Sequence, residues 1–188
     1  MRAQPHFRGM ETRTTPVHAG PVHAEFAPQF PTLRLASLAQ RADLWPDIAR
    51  WHREAWCPDA SIDAVLATIR ARHGAGADVP SGYVAVEIAT DTPVGTAELK
   101  VHEMDELPAF RYWLGGVYVR SDWRGRGLAG ALVEALRLRA RALDLGPIVL
   151  QTERLDGGLY ARAGWQALGL VRRMHDRQTV LLMRTPPG

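Results

Sequence analysis

The sequence predicts a single α/β domain, and three observations support this prediction. Segments with the strand period of two alternate with segments that repeat apolar residues at helical spacing. A glycine-rich run follows one predicted strand and opens a long helix. The chain has 188 residues, of which 46% are hydrophobic. This is enough for one substantial core, but the chain is short for two domains.

The first part of the predicted domain is a strand followed by two helices. Residues 32–38 form the strand. The first helix begins near Asp43, and one of its faces carries the apolar residues Leu44, Ile48, Trp51 and Ala55. Ser61 is a suitable N-cap for the second helix, and Gly74 lies just past its end. The apolar stripe of this second helix consists of Ile62, Val65, Leu66 and Ile69.

Three strands and the longest helix come next. Residues 83–89 and 94–102 are strands joined by a turn at residues 90–93, whose sequence is Thr-Asp-Thr-Pro. A third strand covers residues 113–119. The long helix begins after the glycine-rich run, and its apolar residues recur at helical spacing: Leu128, Leu132, Leu136, Ala140 and Leu143.

The last part of the chain contains a strand, a short helix and a terminal hairpin. Residues 148–152 form the strand, and the short helix surrounds Tyr160. The hairpin pairs residues 168–172 with residues 180–183 around a turn at His175 and Asp176. The predicted order of elements is therefore β-α-α-β-β-β-α-β-α-β-β.

The residues before this pattern have a different composition. Residues 1–31 contain prolines at positions 5, 16, 21, 28 and 31 and have neither helical nor strand periodicity. A flexible N-terminal arm is the simplest interpretation. The enzyme domain itself is then predicted to span residues 32–188.

Charge, hydropathy and cysteine content exclude several classes of function. The formal net charge is +3, but the arginines are dispersed, so nucleic acid is not an expected partner. No apolar stretch is long enough to span a bilayer or to act as a secretory signal. We therefore expect a cytoplasmic protein without a membrane partner. Cys57 is the only cysteine, which leaves no internal disulfide and no cysteine-based metal site.

The glycine-rich run has the composition of a diphosphate-binding loop. Small residues let backbone N–H groups approach an anion, the following helix presents unpaired amides, and arginines add charge. The run also matches the dinucleotide-binding pattern at Gly125, Gly127 and Gly130, with Glu153 as a candidate ribose ligand. However, residues 120–124 separate its first glycine from the strand, and the remaining chain is too short for further βαβ units.

Three motifs identify a resemblance to a known superfamily. The pattern Arg-x-x-Gly-x-Ala at Arg124, Gly127 and Ala129 resembles motif A of the GNAT superfamily of acetyl-CoA-dependent N-acetyltransferases. The preceding Gly116-Val117-Tyr118-Val119 resembles the fourth strand of that superfamily, and the segment from Gly158 to Trp165 resembles its Leu-Tyr helix element. The resemblance implies a mixed, mostly antiparallel central sheet with splayed fourth and fifth strands and flanking helices.

The resemblance also implies where acetyl-CoA binds. The backbone of Val117, Tyr118 and Val119 would pair with the pantetheine arm. Asp156 follows the fifth strand, where relatives often have an asparagine that touches the pantetheine, but an acid here could instead cap the short helix. The pyrophosphate would be held by Arg124, Gly125, Arg126, Gly127, Leu128, Ala129 and Gly130.

Amide formation from a thioester requires a general acid and a general base. Tyr160 matches the usual tyrosine of the superfamily, and a phenol with a pKa of about 10 can protonate a departing thiolate. Some relatives carry a glutamate on the fourth strand, but Trp113 occupies that position here. Glu98 is the candidate base instead. Strand alternation either turns its side chain into the substrate cleft or leaves it in a surface pair with Lys100.

The predicted function is transfer of acetyl from acetyl-CoA to a primary amine by direct attack in a ternary complex, without a metal. Glu103 and Asp105 lie in the connection before the fourth strand and suit a cationic acceptor, either a small-molecule or a peptide amine. The alternatives are a catalytically silent acyl-CoA sensor and, less favoured, an NAD-dependent oxidoreductase. The sequence leaves the identity of the acceptor and the assembly state open, including a homodimer.

Overall fold

A computed structural model describes residues 26–186 and contains a seven-stranded sheet in the order β1-β2-β3-β4-β5-β7-β6. Neighbouring strands are antiparallel, except that β4 and β5 are parallel. The strands are β1 (Leu33–Ser37), β2 (Ser81–Glu87), β3 (Pro93–Val101), β4 (Tyr112–Val119), β5 (Val149–Thr152), β6 (Gln166–Arg172) and β7 (Thr179–Arg184). The predicted α/β class and mixed sheet are confirmed. A dinucleotide-binding fold is wrong for this chain, because it requires a parallel sheet.

The helices that flank the sheet follow the predicted order. They are α1 (Trp45–Trp56), α2 (Ile62–His73), α3 (Leu128–Ala142) and α4 (Gly158–Arg162). A 3-10 turn over Ala42–Leu44 leads into α1, and another over Ser121–Trp123 lies between β4 and α3. Among the described residues, no helix combines the length and the apolar character that a membrane crossing requires.

Helices cover both faces of the sheet. On β2, Ala85 belongs to the same buried cluster as Leu132 of α3. Its neighbour Val84 points to the opposite face and belongs to the cluster that contains Ile48 of α1 and Ile69 of α2. On β3, Ala97 and Leu99 pack in the cluster that contains Leu132 of α3. Side chains alternate along a strand, so Glu98 points to the opposite face. This double coverage determines where Glu98 lies.

Local signals in the sequence specify the pair of helices α1 and α2. Pro46 lies in the first turn of α1, where the missing N–H costs no hydrogen bond. Ser61 caps α2, as predicted, because its hydroxyl accepts a hydrogen bond from the amide of Ala64 at 3.2 Å. The last turn of α2 carries Arg72 and His73, and positive charge is favourable at this end of a helix dipole.

The N-terminal arm predicted over residues 1–31 lies largely outside the described part of the chain, which begins at residue 26. Residues 26–29 are helical. The rings of Phe26 and Phe30 stack with their centroids 5.2 Å apart, and both are buried in the cluster that α3 shares with the sheet. The described end of the arm thus contributes to the core.

Candidate active site

The parallel strands β4 and β5 pair at one end only. Their register joins Trp113 to Val149, and beyond this point the two strands diverge, as the resemblance implied. The later part of β4 therefore has no β5 partner on this side, and a cleft of about 610 Å³ opens there. From these two strands the lining includes Leu114, Gly115, Gly116, Val117, Gln151 and Thr152.

The loop between β4 and α3 is open at the positions where a phosphate would approach. Gly125 and Gly127 have φ values of +76° and +82°, a region that side chains strongly disfavour. A Cβ atom added at Gly125, Gly127 or Gly130 would meet no atom within 4 Å. Gly127 is the N-cap of α3 and offers no side chain to its first amides. These amides are therefore available to an anion, so the loop fits a pyrophosphate.

The two arginines of this loop have different surroundings. The Nε of Arg124 donates a hydrogen bond to the carbonyl oxygen of Val119 at 2.9 Å, and its guanidinium lies 5.8 Å from the ring centroid of Tyr118. Arg126 lies 4.7 Å over the ring of Trp123. Arg124 thus ties the loop to the end of β4, and both guanidinium groups remain on the exposed side of the loop.

The three predicted pantetheine-binding residues of β4 use their side chains differently. Val117 lines the cleft, and Val119 is buried in the core. Tyr118 stacks on Trp51 of α1, with ring centroids 4.9 Å apart. The side chains therefore fix β4 between the helix layers, while its backbone groups face the gap that β5 leaves.

Tyr160 lies in α4 and lines the same cleft as Gly116 and Val117. Its ring meets the edge of Trp165 at a centroid distance of 6.1 Å. Burial disfavours the phenolate and raises the pKa of Tyr160 to about 12. The hydroxyl therefore keeps its proton at neutral pH, as a general acid requires.

Glu98 is completely buried and does not line the cleft, so both predicted positions of its side chain, in the substrate cleft and in a surface pair with Lys100, are wrong. Its side chain has no exposed area because α1 and α2 cover this face of β3. The Nε2 atoms of His52 and His73 each lie 3.3 Å from one of its carboxylate oxygens, and Arg72 approaches at 3.5 Å. Lys100 instead pairs with Glu103 at 2.8 Å.

The charges around Glu98 favour its ionised form. Burial opposes ionisation, but the hydrogen bond with His73 and the positive charges that His52, Lys100 and His73 can carry lower the pKa of Glu98 to about 2. Burial also lowers the pKa of His52, and the opposing attraction of Glu98 does not compensate for it. At neutral pH the pair is therefore a carboxylate next to a neutral imidazole.

The remaining predicted residues are distributed unevenly around the cleft. Glu103 lines it, whereas Asp105 is exposed and lies outside its lining. Asp156 also lies outside. It accepts a hydrogen bond from the amide of Gly158 at 3.0 Å and pairs with Arg154 at 2.7 Å. Gly158 is the first residue of α4 and Gly157 is its N-cap, so Asp156 satisfies a terminal amide of this helix from the position before the N-cap.

The motifs and periodicity of the sequence did not reveal the two histidines that flank Glu98. His52 follows Ile48 by four residues on α1, and His73 follows Ile69 by four residues on α2. Both isoleucines are fully buried, and residues four apart share one helix face. A histidine that extends an apolar stripe is thus a signal of a buried polar site.

Trp113 is also fully buried and donates a hydrogen bond to the carbonyl oxygen of Phe110 at 2.7 Å.

Comparisons with known structures agree on the fold. A protein of Bordetella pertussis described as a GNAT-family acetyltransferase is 23% identical, with a TM-score of 0.64 over 78% of this chain and 90% of that one. A phosphinothricin acetyltransferase from Sinorhizobium meliloti, in complex with acetyl-CoA, is 17% identical, with a TM-score of 0.65 over 84% and 89%. RimL, a ribosomal L7/L12 α-N-protein acetyltransferase in complex with coenzyme A, is 12% identical, with a TM-score of 0.59 over 81% and 93%.

Comparison of the sequence with family models identifies the family directly. A search of curated protein sequences found no match. The model of the Acetyltransferase (GNAT) family matches residues 41–169, which is more than half of the chain and includes the glycine-rich loop, Glu98 and Tyr160. The chain therefore belongs to the GNAT acetyltransferase family and is an acyltransferase enzyme.

Proposed function

We propose that this protein transfers the acetyl group of acetyl-CoA to a primary amine by direct attack in a ternary complex. The observation that carries the proposal is a single continuous cleft. It runs from the unpaired side of β4 past Tyr160 and reaches His52, Lys100 and Glu103 on the side of α1 and α2. Two substrates can therefore meet at β4 from opposite ends.

Acetyl-CoA would bind along β4 and the start of α3. Its pantetheine arm carries amide groups, which can pair with the backbone of residues 117–119 where β5 has diverged. Its pyrophosphate would lie against the first amides of α3, with charge supplied by Arg124 and Arg126. For Asp156 we propose the role of capping α4 rather than contact with the pantetheine, because its carboxylate is already engaged by Gly158 and Arg154.

The residues around the cleft provide the groups that the chemistry needs. A backbone N–H near Val117 or Tyr118 would polarise the thioester carbonyl. Tyr160 would donate a proton to the departing thiolate. Glu98 would supply negative charge on the side from which the amine approaches. Glu103 lines this side of the cleft, so we assign it a role in attracting the acceptor, for which a cationic amine would compete with Lys100. Asp105 would act only from outside the cleft mouth.

The acceptor is a small-molecule or peptide amine. The names of similar structures include a phosphinothricin acetyltransferase and an α-N-protein acetyltransferase, so the shared fold is compatible with both classes. What these acceptors have in common is an amine that must be neutral to attack. The cleft must therefore help to remove a proton from the ammonium form of the acceptor.

Ligand binding and turnover test the proposal separately. We expect acetyl-CoA at about 100 times its Kd to stabilise the protein by roughly 2.7 kcal/mol, seen as a rise in Tm, and NADH to cause no such rise. With acetyl-CoA present, a panel of primary amines should include acceptors that release free thiol, and the same amines after N-methylation to the quaternary form serve as controls.

The possible results distinguish the alternatives. Stabilisation by NADH and not by acetyl-CoA would overturn the cofactor assignment. Stabilisation by acetyl-CoA with no thiol release from any amine would overturn the amine acceptor and favour an acyl-CoA sensor.

A further inference from the structure

An unpartnered buried pair of polar atoms lies beside the cleft. Nε2 of His52 and Oε1 of Glu98 are 3.3 Å apart. Neither atom makes a hydrogen bond with correct geometry within the described structure, and both are inaccessible to solvent. Buried polar atoms are nearly always satisfied, so such an exception requires an explanation. A proton that moves to His52 during the reaction would provide one.

Only one member of this pair can reach a substrate. His52 lines the cleft, whereas Glu98 does not. A Cβ atom added at Gly116 would lie 3.3 Å from Cε1 of His52 and 2.8 Å from Oε1 of Glu98. Gly116 itself lines the cleft next to Val117. The imidazole therefore lies against the part of β4 where the proposed function brings the amine and the thioester together.

We propose that His52 is the general base of the reaction and that Glu98 is a positioning residue that acts through it. This inference rests on the proposed function and names the group that accepts the proton from the acceptor. Glu98 faces one ring nitrogen, so the other nitrogen, Nδ1, is the one assigned to the substrate.

The acceptor loses its protons to His52, and the thiolate gains its proton from Tyr160. The acceptor ammonium gives one proton to Nδ1 of His52, and the imidazolium that forms can donate its Nε2–H to Glu98. The neutral amine then attacks the carbonyl carbon of the thioester, so that a C–N bond forms and the C–S bond breaks. The thiolate takes the proton of Tyr160. His52 then releases its first proton to solvent and accepts the second proton from the nitrogen of the acetylated amine. The phenolate of Tyr160 is reprotonated from solvent.

The groups that face His52 favour this cycle. Glu98 and Lys100 approach from β3, and Arg72 and His73 approach from α2. Burial, Lys100, Arg72 and His73 lower the pKa of His52, so the ring is neutral before the amine arrives. Glu98 acts in the opposite sense and stabilises the imidazolium once the proton has moved. A neutral imidazole beside a fixed carboxylate is thus prepared to accept a proton.

His73 provides a matched control within the same network. Its Nε2 also lies 3.3 Å from Glu98, but its side chain has no exposed area and does not line the cleft. His52→Gln and His73→Gln each retain a side-chain N–H that can face Glu98. Each change therefore preserves part of the structural role of the histidine, but only His52→Gln removes a base from the cleft.

Steady-state kinetics of the full chain test the inference. We expect His52→Gln to lower kcat for the best amine about 100-fold at pH 7, with an unchanged KM for acetyl-CoA. The loss should shrink as the pH rises, because solution then supplies more neutral amine. For His73→Gln, kcat should fall by less than about tenfold, and the pH profile should remain that of the unsubstituted chain. Rates of His52→Gln close to those of the unsubstituted chain, or equal losses and pH profiles for both variants, would overturn the inference.

NMR titration supplies a readout that does not depend on turnover. The imidazole signals are assigned with the two variants. In the unsubstituted chain, His52 should titrate below its ordinary pKa of about 6.5, and Glu98→Gln should lower this pKa further because it removes a negative charge. Acetyl-CoA should shift the signal of His52 more than that of His73. A His52 signal that responds to neither change would overturn the inference. Absence of turnover on every amine would instead count against the proposed function.

Discussion

Burial affects two titratable residues that line the cleft. Tyr160 and His52 are both largely removed from water, and in each case burial favours the neutral form. A neutral phenol can only give up a proton, whereas a neutral imidazole can accept one. The two residues line the same cleft, so one site can contain both the acid and the base that an acyl transfer to an amine needs.

The acid role that we propose for Tyr160 makes a prediction for one hydroxyl group. Tyr160→Phe keeps the ring that contacts Trp165 but removes the proton donor. We expect kcat to fall about 100-fold and the Kd for acetyl-CoA, measured by calorimetry, to stay the same. Tyr112→Phe, which removes a phenol outside the cleft, should keep the activity of the unsubstituted chain. If Tyr160→Phe retains nearly full kcat, the phenol is not the acid.

The sequence could predict the face of β3 on which Glu98 lies, but not the residues that surround it. Alternation along β3 correctly placed Glu98 on the face opposite Ala97 and Leu99. The pattern could not reveal that α1 and α2 cover that face, because this contact joins segments far apart in the chain. Burial of Glu98 between His52 and His73 is therefore a tertiary property, and alternation alone left a surface pair open.

At the level of elements, the junction between β4 and α3 depends on backbone conformation. Gly127 is the N-cap of α3 with φ of +82°, and Gly130 lies in the first turn of the same helix. A Cβ atom at either position would meet no atom within 4 Å. The two glycines therefore differ in backbone conformation and not in the space around them.

This difference predicts opposite effects of the same substitution. Gly127→Ala forces a left-handed conformation on an alanine and should cost about 1–2 kcal/mol of stability. It should also weaken acetyl-CoA binding, because relaxation of the loop moves the first amides of α3. Gly130→Ala should raise stability by up to about 1 kcal/mol, since alanine favours a helix. Urea unfolding and calorimetry measure both quantities. Equal changes in stability for the two substitutions would mean that the left-handed conformation of Gly127 does not require glycine.

Most elements could be predicted from periodicity and capping signals. The strands agree within about two residues, and Ser61 caps α2 as expected. Two features could not be predicted in this way. The register of β3 and β4 shifts between Thr96 and Glu98, and Gly116 has φ of +57°. Such an irregularity depends on the partner strand and changes no local pattern in the sequence.

At the scale of the whole molecule, the chain order of the strands differs from their order in the sheet. The strand β7 lies between β5 and β6, although β6 precedes it in the chain. Periodicity contains no information on which strands become neighbours, so the mixed sheet followed from the resemblance and not from the pattern. Helices pack on both faces of this sheet, and the carboxylate of Glu98 is therefore buried.

That buried charge predicts how the whole protein responds to acid. The pKa of His52 is lowered on folding, so its contribution to stability is present above its unfolded pKa of about 6.5 and is lost as the pH falls below that value. The pKa of Glu98 is lowered from 4.5 to about 2, so its contribution is lost between these values and is on the order of 3 kcal/mol. Both contributions decrease as the pH falls, so the free energy of unfolding should decline from neutral pH downwards.

Urea unfolding at several pH values between 3 and 8 measures this decline. Glu98→Gln should be less stable than the unsubstituted chain at pH 7, because the two histidines lose their carboxylate partner. Its stability should then fall less steeply below pH 4.5, because no carboxylate remains at this position to be protonated. Asp59→Asn removes an exposed carboxylate and should retain the full decline. A decline in Glu98→Gln as steep as that of the unsubstituted chain would mean that Glu98 is not held in its charged form by the fold.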